Sequence, residues 1–368
     1  MDRRLNRLHV WILTAAIALV GLSRQSLAQI VDIPDSIRQN TGSLSEQDKA
    51  TVKAFVDANS KNLLEADPAK AEDLRRDRNQ ILSKLQGQNI SVSFRLAYSA
   101  ALQDVVGKML ASGNEKIVIN GLVIAGELAT DQSLLMVQGK LNDKAPAVRY
   151  EAACSLKRVF RAVQVNQPAL NNLAQAVRLI EPQAAQEANP YVLQALLRAG
   201  IEAASIPAER PAAISAISKG LAAWARNNKN PLAGAELDAC LVGAVGLRDV
   251  MTQAQQQGIA IPANAATDAA ECSGVLLGAV ANVVEKAEKP EAVADRPKLV
   301  QLASSAANTI DLTSQLMGSQ PVVRMNPQET LGKATKAGDA EFVLNVKGVL
   351  GEKLARAPWN IDPARFNK

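Results

Sequence analysis

The sequence predicts an all-α fold, and three observations predict it. About one in six of the 368 residues is alanine, roughly twice ordinary usage and the best helix former. Apolar residues make up 48% of the chain and recur at helical spacing between short polar breaks. No convincing alternating run bounded by hairpin turn signals occurs. Within this class the reading is an irregular α-solenoid of antiparallel helix pairs, with an irregular helical bundle as the alternative.

The first 28 residues read as a leader outside the fold. Arg3, Arg4 and Arg7 precede an apolar stretch from Val10 to Leu22, and Ser26-Leu27-Ala28 supplies small residues two apart. That is the pattern of a secretory signal peptide with cleavage after Ala28. The apolar stretch is short for a bilayer span, which takes about 20 residues. The expected localisation is therefore exported, periplasmic or extracellular. The leader holds four of the 41 basic residues and one of the 36 acids, so cleavage leaves +2 in place of +5. It also holds His9, the single histidine.

Residues 29–42 show no periodicity and read as an N-terminal arm. Ser43 and Glu46 fit a capping box opening a helix that runs to about Glu65. Asp67-Pro68 restarts a helix, with Asp as N-cap and Pro first inside; it stops at Gly87. A third helix runs from about Ser91 to Ala111. Further breaks fall at Gly113, Ala129 to Asp131, Asp143 to Pro146, Asn166 to Pro168, Asn189-Pro190, Pro207 to Pro211 and Asn227 to Pro231. The last ones are Gly258 to Pro262, Pro290 to Pro297, Gly318 to Pro327 and Gly338-Asp339. One helical domain is thus expected over 43–357. The tail, 358–368, carries Trp359 and Phe366 and is either docked or loose.

Leu134 to Val163 is the most informative segment. Leu134, Val137 and Leu141 lie on one helix face, and Asn142 to Pro146 makes a turn. Val148, Ala152, Ala153, Leu156, Val159, Phe160 and Val163 then form a single stripe. The pattern Asp143, Pro146, Val148-Arg149, Ala152-Ala153, Leu156 resembles the HEAT-repeat family of α-solenoids. Resemblance implies that Asp143 and Arg149 serve a ladder between repeats, while the Val, Ala and Leu residues pack the core. Asn189-Pro190-Tyr191-Val192 echoes the motif 44 residues on, and Asn230-Pro231 follows after 41 more, spacings suited to such repeats. Neither echo carries the Arg or the Ala pair. The HEAT-like core is placed at about 114–205.

Composition excludes much chemistry. With no histidine after the leader, Ser-His-Asp and Cys-His arrangements are ruled out. Ser155 with Lys157, and Ser215 with Lys219, are formal Ser–Lys spacings of a kind that surface composition produces often. The three cysteines, Cys154, Cys240 and Cys272, lack the short paired spacing of zinc sites, and neither a calcium loop nor a phosphate-binding glycine loop is present. Buried thiols are expected, with a Cys240–Cys272 bridge as the alternative. No cofactor is expected. Arg75, Arg76 and Arg78 are interleaved with Glu72, Asp73 and Asp77, which reads as a salt-bridged solvent face, with Glu72–Arg76 as an i, i+4 pair, and not as a nucleic-acid reader. Lys157, Arg158 and Arg161 extend a basic edge beyond Arg149 and are the candidate residues for an anionic partner. The uncharged stretch from Cys272 to Val284, containing Gly274 and Gly278, reads as a buried central helix with closely packed neighbours. It is too short to span a membrane.

The function expected is a non-enzymatic protein-interaction scaffold of the cell envelope, binding a protein or peptide along a stacked helical surface. A carboxylate- or cofactor-dependent helical enzyme and a structural envelope component are the alternatives.

Overall fold

The computed structural model describes residues 32–65, 71–87, 89–166, 169–228, 232–323 and 325–366. The leader, Asp67-Pro68 and Asn230-Pro231 lie outside the described residues. Among those described, fourteen α-helices and no strand are present. They are α1 (Asp35–Arg38), α2 (Glu46–Glu65), α3 (Ala71–Leu82), α4 (Val92–Leu110), α5 (Glu115–Leu128), α6 (Asp131–Gln138) and α7 (Pro146–Asn166). After them come α8 (Leu173–Gln186), α9 (Pro190–Ala204), α10 (Arg210–Asn227), α11 (Gly234–Gln256), α12 (Ala263–Lys286), α13 (Arg296–Leu316) and α14 (Lys336–Gly348).

The packing follows a simple order. Along most of the chain a helix packs against its successor but one. Helices α3, α5, α7, α9, α11 and α13 make one row, and α2, α4, α6, α8, α10, α12 and α14 make the other. The apolar stripes face each other between the rows and bury a continuous core from Ile33 to Ile361. Small residues at the crossings allow close approach. A Cβ built on Gly126 of α5 would sit 2.9 Å from the Cβ of Ser155 and 3.0 Å from its Cα, so α5 and α7 touch almost backbone to backbone.

Local sequence explains most helix starts. Ser91 Oγ accepts from Phe94 N at 3.1 Å, and Asn189 Oδ1 accepts from Tyr191 N at 2.9 Å, as N-caps should. Thr130 and Ser133 form a capping box at α6. The first box is displaced from expectation. Ser45, not Ser43, caps α2, exchanging hydrogen bonds with Asp48: Asp48 N to Ser45 Oγ and Ser45 N to Asp48 Oδ2, each 3.1 Å. Both Ser-x-x-acid pairs satisfy the motif, and Leu44, buried as the residue preceding the cap, selects the second.

Three expectations change, and the alternative left open for the tail is decided. The N-terminal arm is docked from residue 32 onward: Ile33 and Ile37 are buried, and Ser91 N donates to Arg38 O at 2.9 Å. Gly338-Asp339 is no break but the first turn of α14, capped by Thr335, whose Oγ1 accepts from Gly338 N at 3.1 Å. Glycine is required there because a Cβ would stand 2.5 Å from Thr330 O. Pro182 lies inside α8 without ending it. The tail docks: Trp359 is buried with its indole N–H directed at Thr313 Oγ1, 3.2 Å away. The interleaved charges near Arg75 pair at i, i+3, Glu72 with Arg75 and Asp73 with Arg76, rather than Glu72 with Arg76.

Candidate interaction surface

Around the HEAT-like motif, Val148, Ala152, Ala153 and Leu156 are all buried, and Pro146 is the first residue of α7. Asp143 accepts from Ala145 N at 3.0 Å and pairs with Lys140 at 3.2 Å. The Ala145 N–H foremost, helped by Lys140, holds its carboxyl below the usual aspartate range. Asp143 offers Arg149 only its main-chain carbonyl, 2.9 Å from Nη1. The carboxylate partner of Arg149 is Glu187, at 2.8 Å from Nε and 2.7 Å from Nη2. Arg149 thus bridges its own turn to the turn that holds Glu187, and the Asp143 carboxylate takes no part in that pair. This follows from reach, since the guanidinium points towards Glu187 while the Asp143 carboxylate is spent on Ala145 N and Lys140. Glu187 lies 44 residues after Asp143, the spacing of Pro190 from Pro146, and that period was the signal that could have found it. Glu187 Oε1 also accepts from Asn189 N at 2.8 Å, and its carbonyl accepts from the Trp224 indole at 2.8 Å.

The basic edge divides. Arg158 is committed within the stack: its Nη1 lies 2.5 Å from Glu151 and its Nε 3.5 Å from Glu127 of α5. It is no free reader of an anionic partner, because α5 and α7 are so close that neighbouring acids neutralise it. Lys157 and Arg161 have no carboxylate within ion-pair distance among the described residues, and Arg161 is exposed. They share the solvent side of α7 with Tyr150, 40% exposed, and half-buried Cys154. Arg198, exposed on α9, lies close enough to act electrostatically on both Tyr150 and Cys154. Sequence reading missed Arg198 because it stands on another helix, 37 residues beyond Arg161.

The nucleophile candidates are otherwise engaged. Ser155 is buried and donates to Leu122 O at 2.8 Å, and Lys219 reaches Asp268 at 3.3 Å. All three cysteines are thiols, with no bridge between Cys240 and Cys272. Burial pushes the Cys154 thiol up and the Cys272 thiol up to about 12. Among the described residues, no group of three His, Cys, Asp or Glu side chains is placed to hold a metal. No described helix is long and apolar enough to cross a membrane. No family model, curated protein or solved structure matches the chain.

Proposed function

We propose that the protein is an exported, non-enzymatic helical-repeat scaffold, a short HEAT-like α-solenoid that docks an acidic segment of a partner protein in the cell envelope. The observation that carries the reading is the solvent face shared by α7 and α9. There, Lys157 and Arg161 share a helix face with Tyr150, Arg198 acts on Tyr150 from α9, and none of the three basic groups has an ion-pair partner among the described residues. Arginine and tyrosine are the residues most enriched at protein interfaces, where each brings a large contact area and directional hydrogen bonds. The two-row order of the helices supports the solenoid reading, since stacked pairs bury only their neighbours and leave a long surface open. Export rests on the leader pattern of Arg3 to Ala28.

The test compares the wild type with the triple variant K157E/R161E/R198E. All three positions face solvent or its border, so the fold should persist. Affinity capture from the native envelope with the wild type should recover a reproducible partner carrying an acidic segment. The triple variant should lose it, and raised salt should weaken the wild-type capture. Equal recovery by both proteins would sink the reading.

A further inference from the structure

Helix α14 is the last of its row and packs on α12, with no further helix of that row beyond it. Its inner side, with Phe342 and Val346 buried, is spent on the core. Its outer side carries Leu344, 70% exposed and the most exposed large apolar side chain among the described residues. Ala340 and Ala337, both exposed, stand on the same side, one and two turns before it. The terminal unit of a stack normally presents a polar outer face, because no neighbour follows to cover it. The outer face of α14 is instead apolar along its centre, and its alanines are short enough for a second helix to lie close against it.

Charge marks the two edges of this face. At about 100° per residue, Lys336 and Glu341 fall on opposite edges, with Ala337, Ala340 and Leu344 between them. Both charged side chains are exposed, and neither has an ion-pair partner among the described residues. In heptad terms Ala337 and Leu344 take position a, Ala340 takes d, Lys336 takes g and Glu341 takes e. Positions b, c and f of the same heptad are Gly338, Asp339 and Phe342, all buried in the protein's own body. A parallel pair of helices sets g of one against e of the other, five residues on. Lys336 of each copy would then meet the partner's Glu341, one ion pair on either side of the seam. An antiparallel pair sets lysine against lysine and glutamate against glutamate. Lys347, at the next d position, is already held by Glu285 of its own chain at 2.8 Å.

We propose that the outer face of α14 binds a second copy of this chain, the two helices running parallel about a two-fold axis beside Leu344. Each copy offers the same patch. Leu344 packs on the partner's Leu344 and leaves water, while the basic edge of one helix faces the acidic edge of the other. That relationship selects a second copy as the occupant, since each edge of the helix is the complement of its opposite edge. The seam of 13 residues is about 20 Å long, short for a stable interface. The dimer is therefore weak, with a dissociation constant of roughly 10–100 µM. The α7–α9 face lies on the other row of helices and stays open, so this inference does not rest on the partner proposed for that face.

Sedimentation equilibrium of the purified protein, from about 1 to 200 µM so as to bracket that constant, tests this. The expected result is a monomer–dimer equilibrium with no higher species, because a two-fold interface closes on itself. Leu344→Asp should leave only monomer over the same range. Lys336→Glu and Glu341→Lys each turn both ion pairs into like-charge contacts and should weaken the dimer by about tenfold. Mixed in equal amounts, these two variants again set opposite charges face to face and should associate at least as well as the wild type. The double variant K336E/E341K should recover likewise. All three positions are exposed, so the fold should persist in every variant. A wild type that stays monomeric overturns the proposal. So does a dimer that survives L344D, a single reversal without effect, or a mixture that fails to recover.

Discussion

Arg149 and Glu187 join two successive turns of the stack through a two-pronged ion pair, with Nε to Oε2 at 2.8 Å and Nη2 to Oε1 at 2.7 Å. The pair is largely shielded, the Glu187 side chain being 5% exposed and that of Arg149 18%. Hydrogen bonding to Glu187 is the main reason the Arg149 guanidinium is held above its ordinary value. Removing one partner of such a pair leaves a desolvated charge behind, which costs more than the pair itself contributes.

Glu187→Ala should therefore destabilise the protein by about 3 kcal/mol, measured by urea unfolding. It strands Arg149 and also leaves the Asn189 amide without its acceptor. Arg149→Lys should cost less, about 1–2 kcal/mol, since the ammonium keeps the charge but loses the fork. A double-mutant cycle should give clearly non-additive values. Additive losses would show that the two side chains act separately.

Two glycines should respond in opposite directions to alanine. Gly107 lies inside α4 with nothing within 4 Å of a built Cβ. Gly107→Ala should raise stability by about 0.5–1 kcal/mol through helix propensity alone. Gly338 is also helical, in the first turn of α14, but its Cβ would meet Thr330 O at 2.5 Å and Thr335 Oγ1 at 3.0 Å. Backbone atoms cannot step aside cheaply, so Gly338→Ala should lower stability by about 1–3 kcal/mol. Thermal unfolding of the two variants, side by side, distinguishes packing from propensity.

The same contrast explains what sequence could reveal. Helices and their caps were legible because Ser91, Asn189 and Pro146 act within three or four residues of themselves, and the buried stripe from Val148 to Phe160 is a matter of period. Gly338 was misread as a break because its purpose lies across a turn, at Thr330. Pro182 was overlooked because α8 continues on either side of it. Glu187 was hidden by distance: the motif suggested an acid beside Arg149, and Asp143 was the near one. The basic edge was half legible. Lys157 and Arg161 have no ion-pair partner among the described residues, but nothing in the chain near Arg158 announces that Glu127, on another helix, lies beside it.

Thiol chemistry should follow burial. Cys240 and Cys272 have no exposed surface, and desolvation raises both thiols, Cys272 to about 12. The thiolate is the reactive form. At pH 8 the native protein should take up iodoacetamide slowly at Cys154 and scarcely at all at the other two, whereas the unfolded protein should be alkylated at all three. Peptide mass mapping reads each site. Fast native labelling of Cys272 would contradict the packing of α12.

Asp311 gives a pH test with a definite sign. Its Oδ1 accepts from Val322 N and Val323 N, both at 2.8 Å, tying α13 to the segment that follows it. Burial nevertheless raises its carboxyl above the usual 3.8, outweighing the two hydrogen bonds. A raised native value means that the folded state holds the proton more tightly than the unfolded chain. The stabilising contribution is then present in full below the unfolded value and lost as pH rises through the native one. At neutral pH the ionised carboxylate is a cost. Asp311→Asn keeps an oxygen for both backbone donors and removes that charge, so it should raise Tm at pH 7. The advantage should shrink as pH falls through the native carboxyl's value, because protonated Asp311 and Asn present nearly the same group. Melting curves of both proteins from pH 7 down to about pH 4 follow the difference. An advantage that stays constant over that range, or a variant less stable at pH 7, would mean that the two amide donors outweigh burial after all.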